Sequence, residues 1–366
     1  MDVLIISNNA AGLLNLRREL IQALVQMADV YICVPPDSYS NQITDVGGNL
    51  IETAFERRGK SILSEIILLK KYRNIIKKYH PDVVLTYTIK PNIYGGLVCR
   101  ATGTPYIVNV TGLGTELQNN SVFSRILFKL YTFSVRKAKK IYVQNCSIKE
   151  RFEKHRVSEN CEVLPGSGVN LKKHCYERYP SETDGISFLF IGRVMKDKGI
   201  EELIYAADII SKRNKNVVFD LVGYYDESEY KEQIDSLIAR RVMRFYPFQE
   251  NIHNVIKEHH CIIHPSYHEG MSNAILEAAA VGRPVIASDI SGCIEAFDDK
   301  ISGISVKVKD KEDLVRGIEE FLSLTLSERE QMGIAGRRKM ERFFDRKIVV
   351  DKYITEIKKL EGEKSK

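Results

Sequence analysis

The feature of this chain that most restricts its fold is the stretch 261–288, which reads CIIHPSYHEGMSNAILEAAAVGRPVIAS. A short apolar run before Pro265, a polar segment, an alanine-rich segment of helical composition and a second apolar run follow one another in it. Gly282 and Pro284 stand where such a helix must end. The stretch therefore predicts a strand, a loop that opens a helix, and a second strand, with the limits 261–264, 266–270, 271–281 and 285–287.

Two glutamates bracket the start of that helix. Glu269 lies in the loop and Glu277 lies on the helix, eight residues later. The N-terminal amides of a helix bind phosphate readily, and carboxylates accept hydrogen bonds from sugar or ribose hydroxyls. The spacing fits a site that holds an anion beside sugar or ribose hydroxyls, and it fits equally well a capped helix with a solvated glutamate at each end.

The surroundings of the glutamate pair resemble the signature of the retaining GT-B glycosyltransferases of glycosyltransferase family 4. Three motifs follow one another in the family's order: FLFIGR with KDKG at 188–193 and 196–199, HPS at 264–266 before the glutamates, and SDISG at 288–292 with Glu295. The first of these resembles the family's segment for the donor diphosphate. The likeness is strong over residues 186–300 and looser in the N-terminal half.

The expected fold is α/β. Strands and helices alternate in both halves, and 366 residues exceed a typical single core, so the sequence predicts two doubly wound domains facing a cleft. In GT-B terms these are Rossmann-like domains. Residues 1–175 would bind the acceptor, with the C-terminal helix 346–366 packing back on them. Residues 176–345 would bind the nucleotide sugar, after a polar linker at 171–185.

The resemblance assigns roles to individual residues. Arg193 and Lys198 would neutralise the donor diphosphate and stabilise the charge that develops on it. The alternative is that they are two ordinary surface cations with no ligand. Glu269 would hold hydroxyls of the transferred sugar, and Glu277 would bind the ribose. Backbone groups would complete the donor site at Gly12, Gly192, Gly270, Met271, Ser272 and Asn273. The expected catalytic residues are Arg193, Lys198 and Glu269.

The acceptor side is less well defined. TYTIKPNIYG at 86–95 and NVTGLG at 109–114 resemble the branch of family 4 that assembles bacterial capsule, O-antigen or protein-linked glycans on undecaprenyl diphosphate, including N-acetylgalactosaminyltransferases. Many family members carry a histidine after this strand, but none lies between His80 and His155. Asn109 or Thr111 would take that place. The expected acceptor-side set is therefore Asn109, Thr111, Gly112 and Lys90.

The charge of +6 is unevenly distributed. Residues 1–180 contain 25 basic and 15 acidic residues, whereas the remainder of the chain is mildly acidic. The predicted helices 61–79 and 121–140 combine apolar faces with basic clusters, the second including Arg136, Lys137, Lys139 and Lys140. Ordinary solvated or core-packing helices account for these patterns, and so does contact with an anionic membrane or a lipid-linked diphosphate.

The resemblance implies a retaining glycosyltransferase that moves a sugar, such as the N-acetylhexosamine GalNAc, from a UDP-sugar to an undecaprenyl-diphosphate-linked saccharide. It would act in the bacterial cytoplasm, bound peripherally to the inner face of the plasma membrane. No nucleic-acid partner is expected. Three alternatives remain: a sugar-nucleotide epimerase on the same scaffold, a glycan phosphorylase with pyridoxal phosphate, and a non-catalytic scaffold of a glycan assembly complex.

Several absences in the sequence limit these expectations. No DxD motif occurs, so a metal held by that motif is not expected, and the resemblance implies a cofactor-free reaction. The seven cysteines show no CxxC pairing, which indicates reduced thiols. No run of about 18 apolar residues and no signal peptide are found, so neither a spanning helix nor export is predicted.

Overall fold

A computed structural model describes residues 1–54, 62–114, 121–183 and 185–364. It divides the chain into two units. The first unit is Met1–Ser167 together with Arg346–Lys366, and the second unit is Gly168–Asp345. Residue 61, where the sequence begins a predicted helix, and the last two residues of the predicted C-terminal helix lie outside the described residues.

The first unit is built on a seven-stranded parallel sheet with the order β3-β2-β1-β4-β5-β6-β7. The central strands are almost continuously apolar, as expected for strands buried on both faces. The strands are β1 (Asp2–Ile6), β2 (Asp29–Val34), β3 (Asn49–Glu52), β4 (Val83–Tyr87), β5 (Tyr106–Val110), β6 (Lys140–Val143) and β7 (Cys161–Val163). The helices are α1 (Ala10–Val25), α2 (Gln42–Asp45), α3 (Ile62–Tyr79), α4 (Gly96–Thr102), α5 (Val122–Val135) and α6 (Cys146–Lys154), with a π-helical turn at Pro91–Gly95.

The second unit has a six-stranded parallel sheet with the order β10-β9-β8-β11-β12-β13. Its strands are β8 (Ile186–Ile191), β9 (Val217–Val222), β10 (Met243–Tyr246), β11 (Cys261–His264), β12 (Val285–Ser288) and β13 (Gly303–Val306). Its helices are α7 (Ile200–Arg213), α8 (Lys231–Ala239), α9 (Ile252–Ile256), α10 (Asn273–Val281), α11 (Ser291–Ile294), α12 (Lys311–Ser323) and α13 (Leu326–Lys339). The strand order reverses between β8 and β11, and open α/β sheets bind ligands at the carboxyl ends of the strands at such a point.

The C-terminal helix α14 (Arg346–Lys364) packs on the first unit. Arg346 lies 3.0 Å from a carboxylate oxygen of Glu19 at the start of the helix. Further along, the buried hydroxyl of Tyr353 accepts a hydrogen bond from the side chain of Asn109 at 2.9 Å. The helix is therefore held to α1 by an ion pair and to β5 of the first sheet by a buried polar contact.

The boundary between the units differs from the predicted one. Residues 168–175, which the sequence assigns to the first domain, belong to the second unit. The amide of Val169 donates to the carbonyl of Phe344 at 2.8 Å, and that of Glu177 donates to Val281 at 3.1 Å. These bonds attach the segment to the second unit, so the chain passes between units at residues 167–168, before the predicted polar linker.

Candidate active site

The loop after β11 is fixed against the turn that precedes α7. The amide of Tyr267 donates to the carbonyl of Asp197 at 2.9 Å. Gly199, which ends this turn, has a φ of +71°, and a Cβ there would lie 2.1 Å from the carbonyl oxygen of Pro265. Only glycine allows so close a backbone approach. Two motifs that are about 70 residues apart in sequence, KDKG and HPS, therefore lie side by side.

This packing brings together a polar cluster that we call the Lys198 cluster, formed by Lys198, Glu269, His264 and Ser272. The Lys198 ammonium donates to the carboxylate of Glu269. His264 Nε2 lies 3.0 Å from the same carboxylate oxygen and 3.1 Å from Ser272 Oγ. The side chains of Lys198 and Glu269 are 19% and 15% exposed, so the pair is largely shielded from solvent but open on one side.

The electrostatics of the cluster fix the state of Glu269. Burial by itself would raise the pKa of this carboxyl, but the Lys198 charge and the His264 hydrogen bond outweigh burial and hold the pKa well below its usual range. Glu269 is therefore a carboxylate throughout the physiological pH range. In that state it accepts hydrogen bonds and has no proton to donate, which suits the binding of sugar hydroxyls.

The N-terminus of α10 begins directly beside the cluster. Ser272 is the N-cap, and its hydroxyl accepts from the amide of Ile275 at 3.4 Å. Gly270 and Met271 are buried, and Asn273 is the first helical residue. One predicted role is corrected here. The backbone amide of Ser272 donates to the carbonyl of Gly292 at 2.9 Å, so it is not available to a phosphate.

Glu277 lies on the second turn of α10 and contacts a histidine that the sequence did not single out. Its carboxylate oxygen is 3.8 Å from Nε2 of His174, which is only 2% exposed. The Glu277 side chain itself is 21% exposed, so the carboxylate is accessible to a ligand. Glu269 and Glu277 thus lie at the two ends of one short loop-and-helix element, each with a basic partner.

Arg193 follows β8 but is held by a different carboxylate. Its Nη1 lies 3.1 Å from Oδ2 of Asp226, and the guanidinium side chain is 38% exposed. The preceding amide, of Gly192, donates to Val222 at 3.0 Å and so fixes the end of the strand. A diphosphate bound by Arg193 must share the guanidinium with Asp226, which no spacing in the sequence indicated.

Two of the candidates in the first unit, Gly12 and Asn109, hydrogen-bond to residues of neighbouring helices or caps. The amide of Gly12 donates to the side chain of Asn9, the N-cap of α1. Asn109 is 1% exposed, and its amide nitrogen donates to Tyr353 of α14. The buried contact with Tyr353 makes Asn109 a packing residue, so its predicted acceptor role is not supported.

The other candidates in the first unit are more accessible. Lys90 forms an ion pair with Glu65 at 2.7 Å, and both line a cavity of about 180 Å³ that Lys71 also borders. Thr111 and Gly112 follow β5 and are half-buried, and Gly112 has a φ of +135°. These residues occupy the carboxyl edge of the first sheet, where the sequence placed them.

Two family models match the chain, one for each unit. "Glycosyl transferase 4-like" matches residues 3–145, and "Glycosyl transferases group 1" matches residues 172–339. Together they cover most of the chain. The chain belongs to the family 4 glycosyltransferases. The predicted family and the enzyme class are thereby confirmed. The match to "Glycosyl transferases group 1" contains every residue of the Lys198 cluster.

Individual relatives of this glycosyltransferase are distant and match most of its length. It is 26% identical to the N,N'-diacetylbacillosaminyl-diphospho-undecaprenol alpha-1,3-N-acetylgalactosaminyltransferase of Campylobacter jejuni, with 97% of each chain covered. It is 24% identical to the UDP-Gal:alpha-D-GlcNAc-diphosphoundecaprenol alpha-1,3-galactosyltransferase of Escherichia coli, with 71% of each chain covered. The Anabaena protein HepE, solved in complex with UDP and glucose, superposes with a TM-score of 0.80 at 16% identity, over 98% of this chain and 99% of that one. The likeness to HepE confirms the predicted GT-B fold class.

The structure adds to the candidate site three residues to which the sequence gave no role: His264, His174 and Asp226. His264 could have been found, because it ends β11 immediately before the loop that carries Glu269. His174 and Asp226 carry no such signal. Their partners Glu277 and Arg193 are 103 and 33 residues away in sequence, and only the folded chain pairs them.

Proposed function

We propose that this glycosyltransferase moves a sugar, with retention, from a UDP-sugar to a saccharide carried on undecaprenyl diphosphate in the synthesis of a bacterial surface glycan. The transferred sugar is an N-acetylhexosamine such as GalNAc. The observation that carries the proposal is the Lys198 cluster at the carboxyl ends of β8 and β11. The names of the Campylobacter and Escherichia relatives support the donor and acceptor classes, and the proposed reaction uses no metal or cofactor.

On the donor side, Lys198 supplies a positive charge that is already oriented. Negative charge grows on the leaving diphosphate as the glycosidic bond breaks, and a preorganised cation stabilises that charge without reorganising solvent. Glu269 holds the ammonium in place and accepts hydrogen bonds from the sugar hydroxyls. The amides at the start of α10, near Met271 and Asn273, supply further donors to phosphate.

The state of Glu269 also bears on retention. A carboxylate that is paired with the Lys198 ammonium and hydrogen-bonded to His264 is a poor nucleophile, so we infer that no covalent glycosyl-enzyme forms on it. Transfer then occurs on one face of the sugar. The acceptor oxygen attacks from the side that the diphosphate leaves, and a leaving phosphate oxygen takes the acceptor proton.

The activity is tested by incubating the full chain with a panel of UDP-sugars and a short-chain lipid-diphosphate saccharide. The expected result is one extended lipid product whose new linkage has the anomeric configuration of the donor. Interconversion of UDP-sugars without acceptor would instead identify an epimerase. Absence of any product with every donor would overturn the proposal and favour a scaffold.

Glu277→Ala is expected to weaken the binding of free UDP by about tenfold or more, because the ribose hydroxyls lose a charged acceptor worth about 1.5–3 kcal/mol. Calorimetric titration of UDP measures this loss. Glu312→Ala is the matched control. Glu312 is an exposed glutamate of the same unit, and its carboxylate accepts a hydrogen bond from the hydroxyl of Tyr205. A UDP dissociation constant that is the same in Glu277→Ala and wild type would refute the ribose role.

Membrane contact is proposed for the first unit, where two helices carry exposed apolar side chains. Among the described residues, no helix has the length and apolar character needed to cross a bilayer. On α5, Phe123 and Ile126 are 62% and 61% exposed, next to the exposed cations Arg125 and Lys129. The exposed apolar residues of the two helices are Leu63, Ile66, Ile67, Val122, Phe123, Ile126, Leu130 and Phe133.

The basic cluster predicted at the end of this helix is arranged differently. The helix ends at Val135, so the predicted span 121–140 is too long, and Lys140 begins β6. Lys140 forms an ion pair with Glu162 at 2.5 Å, and Lys139 lies 3.3 Å from a carboxylate of the C-terminal helix. Within the described part of the chain, Arg136 and Lys137 are the two of the four that are exposed and form no ion pair, so the apolar residues of α5 are the better target for a test.

Replacing Phe123 and Ile126 together by serine is expected to reduce binding to anionic vesicles by about tenfold or more, because each apolar side chain that enters lipid contributes about 1.5–3 kcal/mol. Co-sedimentation with phosphatidylglycerol vesicles at low and high salt measures this, and high salt should weaken the electrostatic part. Ile301→Ser, at an equally exposed position of the second unit, is the control. Undiminished pelleting of the double variant would show that α5 does not enter the membrane.

A further inference from the structure

Three side chains of different chemistry meet at one point of the second unit, away from the Lys198 cluster. Cys175 Sγ lies 3.6 Å from Glu177 Oε1 and 3.9 Å from His253 Nε2. His253 Nε2 and Glu177 Oε1 are themselves 3.1 Å apart. One thiol, one carboxylate and one imidazole therefore form a closed triangle of potential ligand atoms.

The dimensions of this triangle match those around a zinc ion. Tetrahedral zinc binds sulfur at about 2.3 Å and nitrogen or oxygen at about 2.0–2.1 Å, which places neighbouring ligand atoms about 3.3–3.6 Å apart. The three observed separations lie within about 0.4 Å of that range. A simple hydrogen bond between His253 and Glu177 accounts for one side of the triangle. Weak thiol hydrogen bonds account for the other two sides, and the three atoms together also surround a point that one metal ion can reach.

We propose that Cys175, Glu177 and His253 form a binding site for a zinc-class divalent cation. A set of one thiolate, one imidazole and one carboxylate suits zinc and related thiophilic metals, whereas calcium and magnesium prefer oxygen ligands alone. His253 is buried, and Cys175 is exposed. The ion would therefore be held on one side by the protein and would take water as its fourth ligand from the solvent side.

The position of the site defines what the cation would do. Cys175 and Glu177 lie on the segment by which the chain enters the second unit, and His253 lies on α9. Helix α9 contacts α10, which carries Glu277, and His174 precedes the first ligand directly. A cation at this point would fasten the entering segment to the helices of the nucleotide side. It takes no part in the proposed transfer step.

Cobalt(II) titration of the full-length chain tests the site, because cobalt replaces zinc and gives an absorption band when a thiolate is bound. The expected result is one equivalent of cobalt bound with a thiolate-to-metal band, which zinc then removes. Cys175→Ser should abolish the band. His253→Ala should weaken cobalt binding by about tenfold or more, because loss of a ligand costs at least as much affinity as loss of a residue that hydrogen-bonds to a ligand. Cys146→Ser, which removes the other exposed thiol, should leave the band unchanged.

A second readout keeps the test independent of folding defects. Zinc should raise the midpoint of thermal unfolding of the wild type and of Cys146→Ser but not of Cys175→Ser. If the buried His253→Ala does not fold, Glu177→Gln replaces it, since Glu177 is only half-buried. Absence of a thiolate band in the wild type, or a band that persists in Cys175→Ser, would overturn the proposal.

Discussion

Replacing Lys198 by alanine should lower turnover by about 100- to 1,000-fold, the loss found when one preorganised donor to a developing anion is removed. Lys198 is held by the Glu269 carboxylate at the carboxyl ends of β8 and β11, so its charge is in place before bond breakage begins. The leaving diphosphate gains most of its charge only in the transition state. The affinity for free UDP should therefore change much less than the rate constant does.

The control for this variant is Lys196→Ala. Lys196 lies two residues earlier on the same turn, is 59% exposed and forms an ion pair with Glu201 at 3.2 Å. It matches Lys198 in charge and local sequence but does not contact Glu269. Steady-state kinetics with saturating acceptor, together with UDP titration, separates the two effects. If Lys198→Ala loses UDP affinity but keeps its turnover, Lys198 binds the ground state and does not stabilise the transition state.

Local features of the site were predictable from the sequence because they depend on neighbouring residues. Helix α10 spans Asn273–Val281 and ends at Gly282, whose φ of +87° favours glycine. The strand before Pro265 and the strand after Pro284 also appear where composition placed them. Apolar runs, helix formers and end signals act over a few residues, so one chain suffices to locate them.

Contacts between distant residues were not predictable in the same way. The pairs Lys198–Glu269 and Arg193–Asp226 depend on which strands become neighbours at the edge of the sheet. The same holds for Asn109. It stands where the family has an acceptor-side residue. Its side chain, however, donates a hydrogen bond to Tyr353 of α14, which is 244 residues later in the sequence. No local pattern near residue 109 records that partner.

The orientation of α5 shows a further limit of the sequence. Its apolar residues are distributed so widely around the helix that periodicity does not select one face. In the structure Phe128 and Tyr131 are buried, whereas Phe123 and Ile126 point to solvent. A core helix and a membrane-contacting helix share the same composition. Only packing against the sheet decides which side faces outward, and here the side that faces outward carries the aromatic and aliphatic residues Phe123 and Ile126.

Glu269→Gln should destabilise the second unit by about 3 kcal/mol at neutral pH, because removing one partner of a buried ion pair leaves an uncompensated charge. The Lys198 ammonium would then face an amide that carries no charge to neutralise it. The loss should depend on pH in a defined direction. The folded-state pKa of Glu269 is lowered, so its stabilising contribution is complete above the unfolded-state pKa of about 4.3 and is lost as the pH falls below it.

Denaturant unfolding of wild type and Glu269→Gln at several pH values measures this effect without any substrate. The difference in unfolding free energy between the two should be largest near neutral pH and should narrow as the pH falls below about 5, because Glu269 of the unfolded chain becomes protonated there while the folded carboxyl, with its lowered pKa, stays ionised. The double variant Lys198→Met/Glu269→Gln should recover part of the loss, because it removes the unpaired cation together with its partner. A pH-independent difference, or a double variant that loses the sum of both single effects, would show that Lys198 and Glu269 are not energetically coupled.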